Sequence, residues 1–295
     1  MQTIHPTTTQ LIDMPLQVGE GPVWDDRRNV LLFEDIPAPA LFAYDPATGT
    51  LRRWEMPAPI GSFGLCEDGR VLVALRTGLH FFDLESGRIA FFVHPEPDRP
   101  DNRLNDGKVG PDGRFWVGSM GAGADLGPTG ALYRIDPDGS CARMLDGLIV
   151  SNGLAWSPDG RTLYHSDSRQ RFLSAWDYNL ATGDITNRRV LRSFEDADGR
   201  PDGAATDAEG YYWSAGVSAG CLNRIAPDGT IERKLILPVP APTMPCFAGP
   251  DLRTLYVTSL TRAVDGRPVA GTLLRVECDV AGAPVGRFGK PFEST

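Results

Sequence analysis

Residues 151–167 read SNGLAWSPDGRTLYHSD. A polar residue and a glycine lead into an apolar run ending in tryptophan. A Pro-Asp-Gly turn follows, then a second apolar run. The turn and the run after it recur along the chain as DDRRNVLLFED (25–35), CEDGRVLVALR (66–76), GPDGRFWVGSM (110–120), DAEGYYWSAGV (207–217) and GPDLRTLYVTS (249–259). With 157–167 that makes six copies. Stepping back eight residues from the turn glycine, or from its replacement, marks one slot per copy: Glu20, Gly61, Asn105, Asn152, Asp202 and Met244. These slots lie 41, 44, 47, 50 and 42 residues apart.

A second phrase follows each copy, for example LFAYDPATGTLRRW and ALYRIDPDGSCARML. Two short apolar runs flanking an Asp-x-x-Gly or Pro-Asp-Gly turn are a hairpin signature. Each unit therefore holds four short strands. Four antiparallel strands in 40–50 residues is the period of a propeller blade. The expected fold is all-β, a six-bladed β-propeller with a central channel, occupying residues 1–295 as one domain. The N-terminal stretch near Thr9–Met14 is expected to close the ring by pairing with GTLLRVECDV in the last blade.

Composition agrees with a globular chain of short strands. Of 295 residues, 41% are hydrophobic and 23% charged, and the 33 glycines and 25 prolines are spread over many turns. No run approaches the roughly 18 apolar residues of a membrane-spanning helix, and MQTIHPTTTQLID has no basic start or apolar core of a secretory signal. A net charge of −9 without a basic patch argues against nucleic acid or a membrane surface as partner. Cys66, Cys141, Cys221, Cys246 and Cys278 are odd in number and far apart, so they read as buried thiols in a reducing cytoplasm. The expected assembly is a monomer or a weak homo-oligomer.

In a propeller the first strand of every blade lines the channel, so slots in one phase converge. Four of the six slots bear side-chain oxygens: Glu20, Asn105, Asn152 and Asp202. Asn and Asp in turns often cap their own backbone, yet Glu20 in GEGP does not fit a turn, and one phase shared by four blades does not need turns. Several different oxygens around one point are what a hard cation takes. His165, at a strand end next to Asp167, is a further residue that could face the channel. Trp24, Trp116, Trp156 and Trp213 recur in phase and read as packing between blades. Met244 and Phe247 belong either to the pocket wall or to the core.

GEGPVWD, RLND, SNGLAWSPDGRTLYHSDS, RPDGAATDAEGYYW and CFAGPDLRTLYVTS together resemble the SMP-30/gluconolactonase/luciferin-regenerating-enzyme family, from Gly19 to about Val280. The resemblance implies hydrolysis of a sugar-acid lactone with one divalent cation, be it Ca, Zn, Mn, Mg or Fe(II). It implies Glu20, Asn152 and Asp202 as metal ligands, Asp202 also as catalytic base, and Arg103 and Asn105 as substrate-binding residues. The chain departs from the family pattern at Gly121-Ala122-Gly123, where relatives often carry an acid that touches the sugar, and Asp125 is the residue that could substitute from further along the same loop. Two other readings remain open at this point. One is a non-enzymatic calcium-binding regulatory propeller, and the other a related hydrolase of non-sugar lactones or phosphotriesters.

Overall fold

In a computed structural model that describes residues 1–124 and 126–290, the repeat folds as six antiparallel four-stranded sheets. Blade one spans 19–55, blade two 60–93, blade three 102–148, blade four 151–193, blade five 201–236 and blade six 242–277. Their first strands adjoin in a closed ring around the axis. The only helical element among the described residues is the short 3-10 turn Asp196–Asp198, so none is long and apolar enough to cross a membrane.

Period-2 alternation explains how the blades hold together. Successive side chains of a strand face opposite sides of its sheet. In the second strand of blade two, Val71, Val73 and Leu75 therefore pack towards blade one, while Leu72 and Ala74 pack towards blade three. The same division around the ring gives six apolar clusters, one in each gap between neighbouring blades. Tryptophans fill the gaps as expected. Trp116, Trp156 and Tyr178 meet edge-on between blades three and four, with ring centroids 5.8–6.3 Å apart. Trp213 meets Phe247 between blades five and six at 5.7 Å, so Phe247 belongs to the core.

The ring is closed by the N-terminus. Thr8–Gln10 pairs antiparallel with Leu273–Glu277 as the outer strand of blade six. This pairing falls slightly earlier than Thr9–Met14, because Ile12 is buried between blades six and one and the chain has already left the sheet there. An unexpected strand, Gln2–Ile4, lies parallel to the edge of blade five.

A C-terminal strap crosses the end of the ring where the Pro-Asp-Gly turns lie. Gly282 bridges to Asp207, Phe288 bridges to Cys66 and packs between blades two and three, and Arg287 reaches Asp25 and Asp26 of blade one. Nothing in the repeat announces this strap. The cysteine expectation needs one correction. Cys66, Cys221 and Cys246 are buried, but Cys141 is exposed and Cys278 partly so. Cys141 opens the outermost strand of its blade, which faces solvent on its outer edge.

Candidate active site

Every first strand carries a local irregularity at or beside its slot. The pairing of first and second strands shifts between Glu20 and Val23, Ile60 and Ser62, Leu104 and Gly107, Asn152 and Ala155, Pro201 and Ala204, and Pro242 and Met244. A β-bulge re-aims the side chain beside it. Bulges in one phase turn the side chains of Glu20, Asn105, Asn152 and Asp202 towards the axis at the end opposite the strap. Gly153 takes φ +65°, and a Cβ there would meet Ser166 Oγ and Tyr212 Oη at 2.3 Å each, so only glycine fits beside Asn152.

The result is a cavity of about 220 Å³ lined by Glu20, Gly61, Asn105, Asn152 and Asp202, five of the six slots. The sixth, Met244, is 1% exposed and packs on Gly203, where a Cβ would lie 2.5 Å from its side chain. It is core, not wall. Arg103 also lines the cavity. A hydrogen-bonded chain joins three blades. Arg103 Nη1 donates to Asn105 Oδ1 (2.8 Å), Asn105 Nδ2 donates to Asn152 Oδ1 (3.3 Å), and Asn152 Nδ2 donates to Asp202 Oδ1 (2.6 Å). Asn152 Nδ2 also donates to Ser168 Oγ, whose hydroxyl is anchored on Pro201 O.

His165 lies elsewhere. It is fully buried inside blade four against Ser151 Oγ at 2.9 Å, and burial pushes its pKa down to about 3. It stays neutral and does not line the cavity. Asp125 lies outside the described residues.

Several groups here escaped the sequence reading. Asp106 follows Asn105 in RLND, accepts the amide of Leu154 at 3.1 Å, and has a buried lysine, Lys108, two residues on along the same strand. Glu34 pairs with Glu20 across the sheet and is wholly buried, and neither of its oxygens finds a donor among the described residues. Ser168, Arg169 and Arg200 complete the polar lining. Arg200 opens the RPDG motif and Ser168 closes LYHSDS, but the repeat marks only one position per blade.

The electrostatics are those of carboxylates short of positive charge. Burial, then Asp202 and Asp106, hold the Glu20 carboxyl well above its ordinary range, against the amide of Gly21. Burial and Asp106 raise Asp202 likewise, against Arg200 and Arg103. Glu34 is raised by burial and Asp106, and burial lowers Arg103 against the pull of Glu34, Glu20 and Asp202. No group of three His, Cys, Asp or Glu side chains placed to hold a metal occurs among the described residues. The set here is two carboxylates with two carboxamides. All-oxygen donors around crowded like charges fit a hard divalent cation.

The chain is similar to known proteins along most of its length. The SMP-30/Gluconolactonase/LRE-like region model matches residues 18–261. A 6-deoxy-6-sulfogluconolactonase of Pseudomonas putida is 39% identical over 258 residues, covering 87% of this chain and 88% of the relative. Regucalcin of Xenopus laevis is 36% identical, covering 84% and 85%. Among solved structures, a calcium-binding protein, regucalcin, from Agrobacterium tumefaciens superposes with a TM-score of 0.92 at 27% identity, covering 98% of this chain and all of that one.

Proposed function

Because the chain belongs to the SMP-30/gluconolactonase/LRE-like family, we propose that it is a metal-dependent lactonase that opens a sugar-acid lactone to the aldonic acid. It is an enzyme of the carboxylic ester hydrolase class. The observation that carries the finer reading is the convergence of Glu20, Asn105, Asn152 and Asp202 from four blades on one cavity. A six-carbon aldonolactone is the first substrate class to consider, given the relative that acts on a gluconolactone. The cavity volume, below the roughly 300 Å³ at which drug-sized pockets begin, suits a monosaccharide.

Glu20, Asn152 and Asp202 would hold the cation, with Asn105 beside it. When bound, the cation supplies Lewis-acid polarisation of the lactone carbonyl and balances the two carboxylates. The protein's own groups do the rest. Asp202 takes a proton from the attacking water as its oxygen bonds to the carbonyl carbon. It returns that proton to the ring oxygen as the ester C–O bond breaks. Asn152 fixes Asp202 through its 2.6 Å hydrogen bond. Arg103 is held on Asn105 and on Leu104 O through Nη1. Its Nε and Nη2 make no hydrogen bond among the described residues, so they are available to orient substrate oxygens.

Acid release from a panel of aldonolactones tests this reading. The protein is stripped with chelator, and each divalent ion is then restored in turn. Hydrolysis above the spontaneous rate only with metal supports the proposal. Metal binding without turnover of any lactone refutes it and favours a calcium-binding propeller without this chemistry.

A further inference from the structure

Each of the six blades ends in an outermost strand and so leaves one sheet edge. An edge strand turns the N–H and C=O groups of alternate residues outward, where another strand can pair with them. The N-terminus supplies cover for two of these edges. Gln2–Ile4 lies along blade five, and the three-residue strand Thr8–Gln10 completes blade six. Three more edges carry exposed charge: Arg52 and Arg53 on blade one, Arg143 and Asp146 on blade three, Arg188 and Arg189 on blade four. Charged side chains are a common device that keeps a second chain from pairing with an edge. Blade two lacks it. Its outermost strand, Ile89–Val93, reads IAFFV, and no described segment lies along its free side.

This strand is also apolar where it meets solvent. Phe91 is 62% exposed and Ile89 37%. The Phe91 ring leans edge-on against His80 of the adjoining strand at 5.3 Å, so it is held out from the sheet by a packed neighbour. Phe92 packs on Phe81 and Phe288, which ties the strand to blade two and to the strap. Charge brackets the apolar run. Arg88 precedes it and Asp98 follows it, both are exposed, and neither makes an ion pair among the described residues. A strand that is positive before its start and negative beyond its end complements its own copy in antiparallel pairing, because the start of one lies against the end of the other.

We propose that the edge of blade two is a homodimer interface, in which Ile89–Val93 pairs antiparallel with the same strand of a second copy about a twofold axis at Phe91. The axis sets the two Phe91 rings beside each other and Ile89 opposite Val93. Arg88 then lies at the end where the 94–98 segment of the second copy leaves the pairing. Such an interface uses the same patch on both copies and closes at two. Pro95 has no N–H and ends the pairing. The paired stretch is therefore short, and the dimer is weak, with a Kd on the order of 1–100 µM. The strand is the outermost of its blade, three strands away from the one that lines the channel. The pairing leaves the cavity open and stands independently of the lactonase reading.

The test is sedimentation velocity of the full chain across the micromolar range, with circular dichroism checking that each variant is folded. The parent is expected to pass from monomer to dimer as concentration rises. Phe91→Lys puts a charge on the edge and should weaken association by about tenfold or more. Val190→Lys is the control: Val190 is an equally bare apolar side chain, 58% exposed, on the edge of blade four, and its replacement should leave the dimer intact. Arg88→Glu and Asp98→Arg should each weaken the dimer, and the two together should restore it, which general stickiness of the patch would not produce. A parent that stays monomeric throughout overturns the proposal. So does a dimer that Phe91→Lys leaves unchanged, or a double charge swap no better than either single one. Association into species larger than two that Phe91→Lys abolishes also overturns it, because a twofold pairing closes.

Discussion

Replacing Glu34 with leucine is expected to stabilise the metal-free protein. The side chain is 0% exposed, and both carboxylate oxygens are buried without a donor. Its surroundings offer apolar contact, since the ring of Phe63 and Gly21 lie against the same pocket. An unsatisfied polar group in a protein interior costs about 1–3 kcal/mol. Leucine removes that cost and buries more apolar surface, roughly 1–2 kcal/mol of gain. It is bulkier beyond Cβ, and misfit takes back about 1 kcal/mol. The net expectation is about 1–4 kcal/mol, or a rise in Tm of roughly 2–8 °C at about 2 °C per kcal/mol for a chain of this size. Glu34→Gln keeps a polar group without partners and should change stability by less. Urea denaturation in the presence of chelator reads both. A Glu34→Leu protein destabilised by 1 kcal/mol or more would refute the reasoning, because it would mean that Glu34 is paired in solution.

Three further perturbations test other parts of the structure. Arg287→Ala cuts the strap from Asp25, whose buried carboxyl is held below its ordinary range because hydrogen bonds from Arg287 and Arg28 outweigh burial. A lowered folded pKa means stability that is present at neutral pH and lost as pH falls through that pKa. The variant should lose about 1–3 kcal/mol at pH 7, and the difference from the parent should shrink towards pH 3 in urea titrations; an equal loss at both pH values would contradict it. Gly153→Ala forces a Cβ onto Ser166 and Tyr212 at positive φ, so a loss of about 2–4 kcal/mol is expected together with a weakened metal-induced rise in Tm, both read by thermal unfolding. Of the five thiols, only Cys141 is exposed, and burial of its sulfur pushes its pKa up to about 11. Native labelling with a disulfide reagent at pH 8 should show one slow dominant thiol, abolished in Cys141→Ser.

The repeat made the fold legible. Six turns in one frame fix six blades, and the alternation in runs such as Val71–Leu75 fixes which residue enters which gap. The frame also pointed at the cavity, because a bulge falls at or beside the same slot in every blade and five of the six slots line it. Met244 departs from this because Gly203 opens a space beneath it that a thioether fills. What the frame does not mark stayed hidden. Arg169 and Arg200 sit at strand connections, whose lengths vary from blade to blade. Glu34 occupies a second-strand position that the alternation assigns to an apolar side chain. The strap follows the last unit and has no counterpart to compare. His165 shows the converse: a polar letter at a strand end, yet buried away from the cavity with its Nε2 on Ser151 Oγ.

The central claim is that Asp202 both faces the cation and moves the proton. Asp202→Asn separates these roles, since the amide keeps an oxygen donor and the hydrogen-bonding size but cannot accept a proton at neutral pH. The decisive measurement is kcat on the best lactone at saturating metal, with the metal-induced rise in Tm recorded on the same sample. The account predicts that the Tm rise persists while kcat falls by about 10²–10⁴-fold. A variant that hydrolyses the lactone within a few-fold of the parent would contradict it.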